Sequence, residues 1–163
     1  MKISAGLLMY KISRNKLMVF LVHPSGPLWK NKDKGAWSIP KGEIEENEEN
    51  QNFLDVAKRE FGEEIGIKIN NFEFIELGKV KQKSGKIVYC WAFQGNFDGK
   101  INCSSFVKME LNDGVFEFPE VDKGEFFNVR QAKEKINSAQ FEFVERLIEI
   151  LGLKLKEETQ RRL

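Results

Sequence analysis

Apolar and polar positions change period several times along the chain. Large apolar and β-branched residues gather in two short runs, Ile3 to Tyr10 and Leu17 to His23, with the polar segment Ser13 to Lys16 between them. Runs of this length and composition predict two strands. Between Pro24 and Gly35 the pattern breaks into two prolines, two glycines and the stretch Lys30-Asn31-Lys32-Asp33-Lys34, the composition of a surface loop. After Trp37-Ser38-Ile39-Pro40-Lys41-Gly42 comes an acidic segment, Glu43 to Asn52. Phe53, Val56, Ala57, Phe61 and Ile65 then recur at spacings dominated by three and four, which predicts an amphipathic helix. Gly66 suits its end, because glycine accepts the positive φ on which helices commonly terminate.

Alternation returns at Asn71 to Gln82 and Lys86 to Phe97, on either side of Ser84-Gly85, and predicts a hairpin. A further strand pair is expected from Ile101 to Leu111 and Val115 to Phe118, around Asn112-Asp113-Gly114. Phe141, Val144, Leu147, Ile148 and Leu151 mark the inner stripe of a last helix ending at Gly152, and the charged residues beyond it are expected to fray. This order of elements predicts an α+β or mixed α/β/α domain over residues 1–153, followed by a charged C-terminal tail, 154–163.

Composition narrows the function. A chain of 163 residues, 41% hydrophobic and with 14 Phe, can build one sizeable core, so one domain is expected. The 26 Lys and Arg nearly balance the 25 Asp and Glu, which leaves none of the basic excess that duplex nucleic acid requires. Met1 to Tyr10 carries no cleavage-site pattern and no membrane-spanning run, so a cytoplasmic protein without a membrane partner is expected. Cys90 and Cys103 lack metal-binding spacing and read as buried free thiols. His23 is the one histidine. It cannot build a zinc site alone, it makes a Ser-His-Asp or Cys-His mechanism improbable, and a structural role suits it better.

The chemistry concentrates on the predicted helix. Glu60, Glu63 and Glu64 stand at i, i+3 and i+4, so their Cβ atoms share one face at roughly 5 to 6 Å. Like charges about 4 Å apart repel by about 4 kcal/mol at an effective dielectric of 20, so a partly buried trio calls for a cation. Carboxylate oxygens suit magnesium, which also bridges phosphate oxygens. Arg59 adds a rigid fork able to orient one carboxylate. A solvated acidic helix face would show the same letters if they stood alone.

They do not stand alone. Arg59-Glu60-Phe61-Gly62-Glu63-Glu64-Ile65-Gly66-Ile67, preceded by Gly42, resembles the Nudix box, Gly-x5-Glu-x7-Arg-Glu-U-x-Glu-Glu-x-Gly-U with U a bulky aliphatic. The second half matches throughout once Phe61 stands as the first bulky residue. The first half departs: the box places thirteen residues between its Gly and its Arg, whereas residues 43 to 58 make sixteen. Its early Glu then falls on Glu48 counting forward or on Gln51 counting back. Ser4-Ala5-Gly6-Leu7-Leu8, Trp37-x-x-Pro40-Lys41-Gly42, Lys86-x-Val88-x-x-Trp91 and Phe118-Pro119-Glu120-Val121-Asp122 extend the likeness to a bacterial branch similar to the dinucleoside polyphosphate hydrolases.

The resemblance implies an α/β/α sandwich with a central mixed sheet and a loop-helix-loop box. It implies a hydrolase that cuts a nucleoside diphosphate from another moiety with Mg2+, or Mn2+ in its place. Carried over residue by residue, Gly42 (through its carbonyl), Glu60, Glu63 and Glu64 would hold the metal, and Glu63, Glu64 or Glu120 would activate water, with Glu117 and Asp122 competing for the part given to Glu120. Arg59 would brace a ligand. Lys41, Trp37 and Trp29 are the candidates for contacting substrate, with solvation or packing as their plain alternatives, and Trp91 and Tyr89 are better suited to packing than to stacking on a base. Dinucleoside polyphosphates are the first substrate class, ahead of nucleotide sugars and damaged nucleoside triphosphates. A catalytically silent nucleotide-binding regulator is the alternative, which the intact glutamate set disfavours, and an RNA pyrophosphohydrolase is disfavoured by the near-neutral charge. A monomer or homodimer acting on a small nucleotide is expected.

Overall fold

The structure is a computed structural model and describes residues 2–48, 51–69 and 73–162, the side chains of Glu48 and of 153–162 excepted. Its strands are β1 (Ile3–Ser13), β2 (Lys16–Pro24), β3 (Lys41–Glu43), β4 (Ile75–Lys81), β5 (Ile87–Gln94), β6 (Phe106–Leu111), β7 (Gly114–Pro119) and β8 (Val121–Asn128). Its helices are α1 (Phe53–Ile65), α2 (Val129–Lys135) and α3 (Phe141–Arg162). Arg14 and Asn15 both take positive φ and turn β1 tightly into β2, the twist that two-residue hairpins favour.

The main sheet runs β4-β5-β1-β2-β8, with β3 added beside the first residues of β1. It is mixed, because β1 and β5 are parallel while the other pairs are antiparallel. Period-two alternation sends Leu7, Met9, Phe20 and Phe93 to the face covered by Ala57, Phe61 and Ile65 of α1. Leu8, Val19, Leu21, Val88 and Cys90 face the opposite side, where Ala132 of α2 and Phe143, Val144 and Leu147 of α3 cover them. Burial on both faces explains why β1 reads as an almost unbroken apolar run. The architecture is the expected α/β/α sandwich around a mixed sheet.

Several expectations change. Residues 101–105 form no strand, because their backbone groups go to the end of α1 instead: Asn102 N donates to Ile65 O at 2.9 Å and Ser104 N to Glu63 O at 2.7 Å. The expected strand start at Asn71 lies outside the described residues, and β4 begins at Ile75. β3, β8 and α2 have weak patterns of their own. β8 contains Asp122-Lys123-Gly124-Glu125 and becomes a strand by pairing with β2 from Met18 opposite Asn128 to His23 opposite Lys123. α2 is set by a capping box between Asn128 and Gln131. α3 continues through Gly152 to Arg162, since a mid-helix glycine costs about 1 kcal/mol but blocks nothing. Ile148, assigned to its inner stripe, is exposed. Among the described residues no helix is long and apolar enough to cross a membrane.

Candidate active site

α1 is defined at both ends. Asn52 accepts a hydrogen bond from Leu54 N at 2.9 Å, and Gly66 closes the helix at φ 89° with its N–H donating to Gly62 O. A Cβ on Gly66 would also lie 2.8 Å from Cβ of Asn102, so glycine lets the 102–104 segment seal the last carbonyls of α1. Gly62, a poor helix former, sits where a Cβ would come within 3.2 Å of the Ile67 carbonyl oxygen.

That seal carries the chain on to Ser105, whose carbonyl accepts from Glu120 N at 2.9 Å, while the Glu120 carbonyl accepts from Ser25 N at 3.1 Å. Glu120 is thereby pinned at the corner between β7 and β8, over the helix that carries Glu60 and Glu64. Carboxylate oxygens of Glu60, Glu64 and Glu120 lie within 4.8 Å of one another. Glu64 is 3% exposed, and its Oε2 is buried without a hydrogen-bond partner.

The electrostatics follow from this crowding. Burial pushes the Glu64 carboxyl well above the usual carboxylate range, and the Glu120 charge pushes the same way against the opposing pull of Lys41. Glu60 is raised by burial and by the charges of Glu63 and Glu120, although the guanidinium of Arg59 opposes the shift. Arg59 Nη2 lies 3.2 Å from Glu60 Oε1 and its Nε 3.6 Å from Glu63 Oε1, so it braces two glutamates at once. Burial lowers the Lys41 amine, helped by Lys86 and countered by Glu64, Glu43 and Glu120.

A cluster of acids is no evidence of a metal by itself. Here, however, an orphaned buried carboxylate oxygen points into an all-oxygen group whose ionised form is destabilised, and a hard divalent cation would relieve both conditions. The residues present fit such an ion.

Two clefts meet at the cluster and share Lys41 and Glu120. One, of about 280 Å3, has largely apolar walls that include Leu28, Trp29, Ile39, Met109 and Phe118. The other, of about 400 Å3, is polar and includes Ser4, Gly42, Glu60, Lys86 and Ser105.

The expected residues divide accordingly. Glu60, Glu64, Glu120, Gly42 and Lys41 come together, and Trp29 lines the apolar cleft at 39% exposure. Glu63 borders the polar cleft outside the three-carboxylate group. Trp37 does not reach either cleft: it is buried edge-on against His23 and Phe127, and its Nε1 donates to Asp33 at 2.8 Å. Its flat, large ring fills a core position at the start of the loop's return.

Asp122 is taken up by His23, whose Nδ1 lies 3.0 Å from Asp122 Oδ1 and whose Nε2 lies 2.6 Å from the Lys32 carbonyl oxygen. Glu117 is exposed on β7. Lys30, Lys32 and Lys34 point into neither cleft, and the Lys32 amine sits 5.0 Å from the centre of the Trp29 ring. Tyr89 packs edge-on against Phe53, and Trp91 is half-buried against the α1-side core. Cys90 is buried and Cys103 half-buried, both free, and burial drives the Cys90 thiol upward. The Glu48 side chain lies outside the described residues, and Gln51 is exposed ahead of α1.

Ser4, Ser105 and the apolar side chains of β6 and β7 escaped sequence reasoning as site residues. Ser4 left one signal, a small hydroxyl between Ile3 and the apolar run that follows it. It is fully buried, and its Oγ has no partner beside the polar cleft.

A mixed sheet between helices, with carboxylates from a loop-helix-loop and from a distant corner gathered at one end, defines the Nudix class of pyrophosphohydrolase. The family model described as NUDIX domain matches residues 2–147, and the chain belongs to that family. Members generally work with divalent metal ions. Among solved structures, the chain is similar to a Caenorhabditis elegans Ap4A hydrolase in a binary complex, with 17% identity, 91% of this chain and 98% of that one covered, and a TM-score of 0.66. It is similar to the NUDIX domain of Shewanella oneidensis NrtR complexed with ADP ribose, at 13% identity, 91% and 87% coverage and a TM-score of 0.62. A structure from work on MutT of Aliivibrio salmonicida and Vibrio cholerae gives 15% identity, 91% and 96% coverage and a TM-score of 0.54. These likenesses show the fold. Among curated protein sequences there is no significant match.

Proposed function

We propose that the protein is a magnesium-dependent pyrophosphohydrolase acting on a nucleoside diphosphate linked to another moiety, with dinucleoside polyphosphates as its first substrate class. The observation that carries this reading is the convergence of Glu60, Glu64 and Glu120, with a buried unpaired Glu64 oxygen, where an apolar and a polar cleft meet.

Glu60 and Glu64, with the Gly42 carbonyl, are the metal-holding groups in this reading, and Glu63 is a more exposed reserve ligand. The all-oxygen donor set favours Mg2+, with Mn2+ able to replace it. When bound, the ion neutralises phosphoryl oxygens and acidifies the attacking water. Glu120, fixed by its backbone at both sides, takes the proton as water attacks phosphorus and the bridging P–O bond breaks. Arg59 keeps Glu60 and Glu63 oriented. Lys41 offers its amine to the phosphate bridge between the two clefts.

The test is product release from diadenosine polyphosphates, nucleotide sugars and nucleoside triphosphates, with Mg2+ or EDTA, for wild type and Glu64→Gln. Turnover of one class that needs the metal and collapses in the variant is the expected result. Binding without turnover of any of them would transfer the chain to the regulatory reading.

A further inference from the structure

The outer strands of the main sheet are shielded from further pairing. β4 is bulged between Glu76 and Gly78, and Arg146 Nη1 donates to the Leu77 and Lys79 carbonyls at 2.7 and 3.1 Å. β8 shifts register opposite His23 and Pro24. Bulges and covered backbone groups of this kind keep an edge from adding a strand. The β6–β7 hairpin has neither device. It is a separate two-stranded sheet in unbroken register, from Phe106 opposite Pro119 to Leu111 opposite Gly114. Two strands alone are marginal in water. Phe106, Leu111, Val115 and Phe116 also stand exposed on it, half of the eight large exposed hydrophobics among the described residues.

The backbone fixes which groups are free. Glu120 N donates to Ser105 O, so the alternation of an antiparallel pair turns the backbone groups of Val107, Met109 and Leu111 toward β7. Phe106, Lys108 and Glu110 turn theirs outward, and among the described residues no other strand pairs with them. A lone lysine on such an edge would repel a second copy. Here Glu110 stands at the next outward position, so an antiparallel strand of the same sequence, centred on Met109, meets each Lys108 with a Glu110. Centring on Lys108 or on Glu110 would oppose like charges instead. In the Met109 register the other face sets Met109 against Met109 and Val107 against Leu111. Phe116 already lies beside Met109 and Phe118 beside Val107, so the apolar rows run on across the joint and cover Leu111.

We propose that the outer edge of β6 pairs with the same edge of a second copy in a two-fold antiparallel ladder centred on Met109, making a homodimer through a four-stranded sheet, β7-β6-β6-β7. The pairing uses no group of the carboxylate cluster and stands apart from the hydrolase reading. One short strand from each copy makes a small interface, so the dimer dissociates readily.

Sedimentation equilibrium of the full chain from about 1 µM to about 1 mM should show a monomer–dimer equilibrium that weakens with salt. Lys108→Glu and Glu110→Lys each oppose like charges twice and should each raise the dissociation constant by about 10- to 100-fold. An equimolar mixture of the two should associate as wild type does, because each strand then meets its complement. Met109→Cys gives a second measurement should a charge reversal disturb the hairpin. Facing Cα atoms about 4.5 Å apart at that non-hydrogen-bonded pair fall within disulfide range, so mild oxidation should cross-link this variant. Val107→Cys, and the wild type with its free Cys90 and Cys103, should stay uncross-linked. A dimer indifferent to both charge reversals, a mixture no tighter than its components, or a Met109→Cys variant that cross-links no faster than Val107→Cys would each overturn the proposal. So would a chain still monomeric at about 1 mM, which would leave the edge to a strand of a different protein.

Discussion

Gly42 and Glu60 occupy the same space: an ideal Cβ on Gly42 would lie 2.0 Å from the Glu60 carboxyl carbon. β3 holds Gly42 against Ala5 of β1, so the backbone cannot retreat without breaking the ladder. The glycine is required here by proximity to the carboxylate.

Gly42→Ala should displace Glu60 while leaving the fold intact. A shift of about 1 Å in a catalytic group costs on the order of 100-fold in rate, so kcat should fall by about that factor. Steady-state kinetics beside a thermal melt checks this, and loss of folding with unchanged specific activity in the remaining soluble fraction would contradict it.

Removing the cation should expose the repulsion among the carboxylates. A divalent ion at about 100 times its Kd adds about 2.7 kcal/mol to stability, which at this chain length raises Tm by about 5 to 11 °C. The shift should appear with Mg2+ or Mn2+, vanish with EDTA and shrink in Glu64→Gln and Glu120→Gln. An equal shift in both variants would place the ion elsewhere.

The sign of the pH dependence follows from the raised Glu64 and Glu60. Their folded forms hold protons that the unfolded chain releases near the ordinary value of 4.5. The metal-free protein therefore keeps its full stability below that value and loses it as pH rises toward the raised folded values. Urea denaturation in EDTA at a series of pH values should show stability falling above the ordinary carboxylate range. Glu64→Gln should flatten the fall and be more stable than wild type at neutral pH, even as activity collapses.

His23→Ala should loosen the loop rather than alter the chemistry. The buried imidazole bridges Asp122 of β8 and the Lys32 carbonyl, so its loss removes two hydrogen bonds, each worth about 0.5 to 1.5 kcal/mol. Chemical denaturation should register that loss, accompanied by faster amide exchange over residues 25–35. KM should rise more than kcat falls, because the loop carries Leu28 and Trp29 into the apolar cleft.

The chain's own letters determined the strands β1, β2 and β5, the helix α1 with its Gly66 end and the acidic face of Glu60 and Glu64, because local periodicity and capping are properties of neighbouring residues. They also carried the box resemblance that led to the family. They were silent on β8 and α2, where a polar segment becomes a strand by pairing with β2 and a short helix forms on its own cap. They left Trp37 open between core and ligand, since a large aromatic looks the same in sequence whether it fills a core or faces a ligand. Only the tertiary structure decided that Glu120 joins Glu60 and Glu64, and that Asp122 goes to His23 instead. It also decided that a hairpin outside the main sheet walls the apolar cleft. The physical reason is distance along the chain: Glu64 and Glu120 meet because the 102–105 segment spends its backbone hydrogen bonds on the end of α1 and the Glu120 corner, an arrangement that no local pattern encodes.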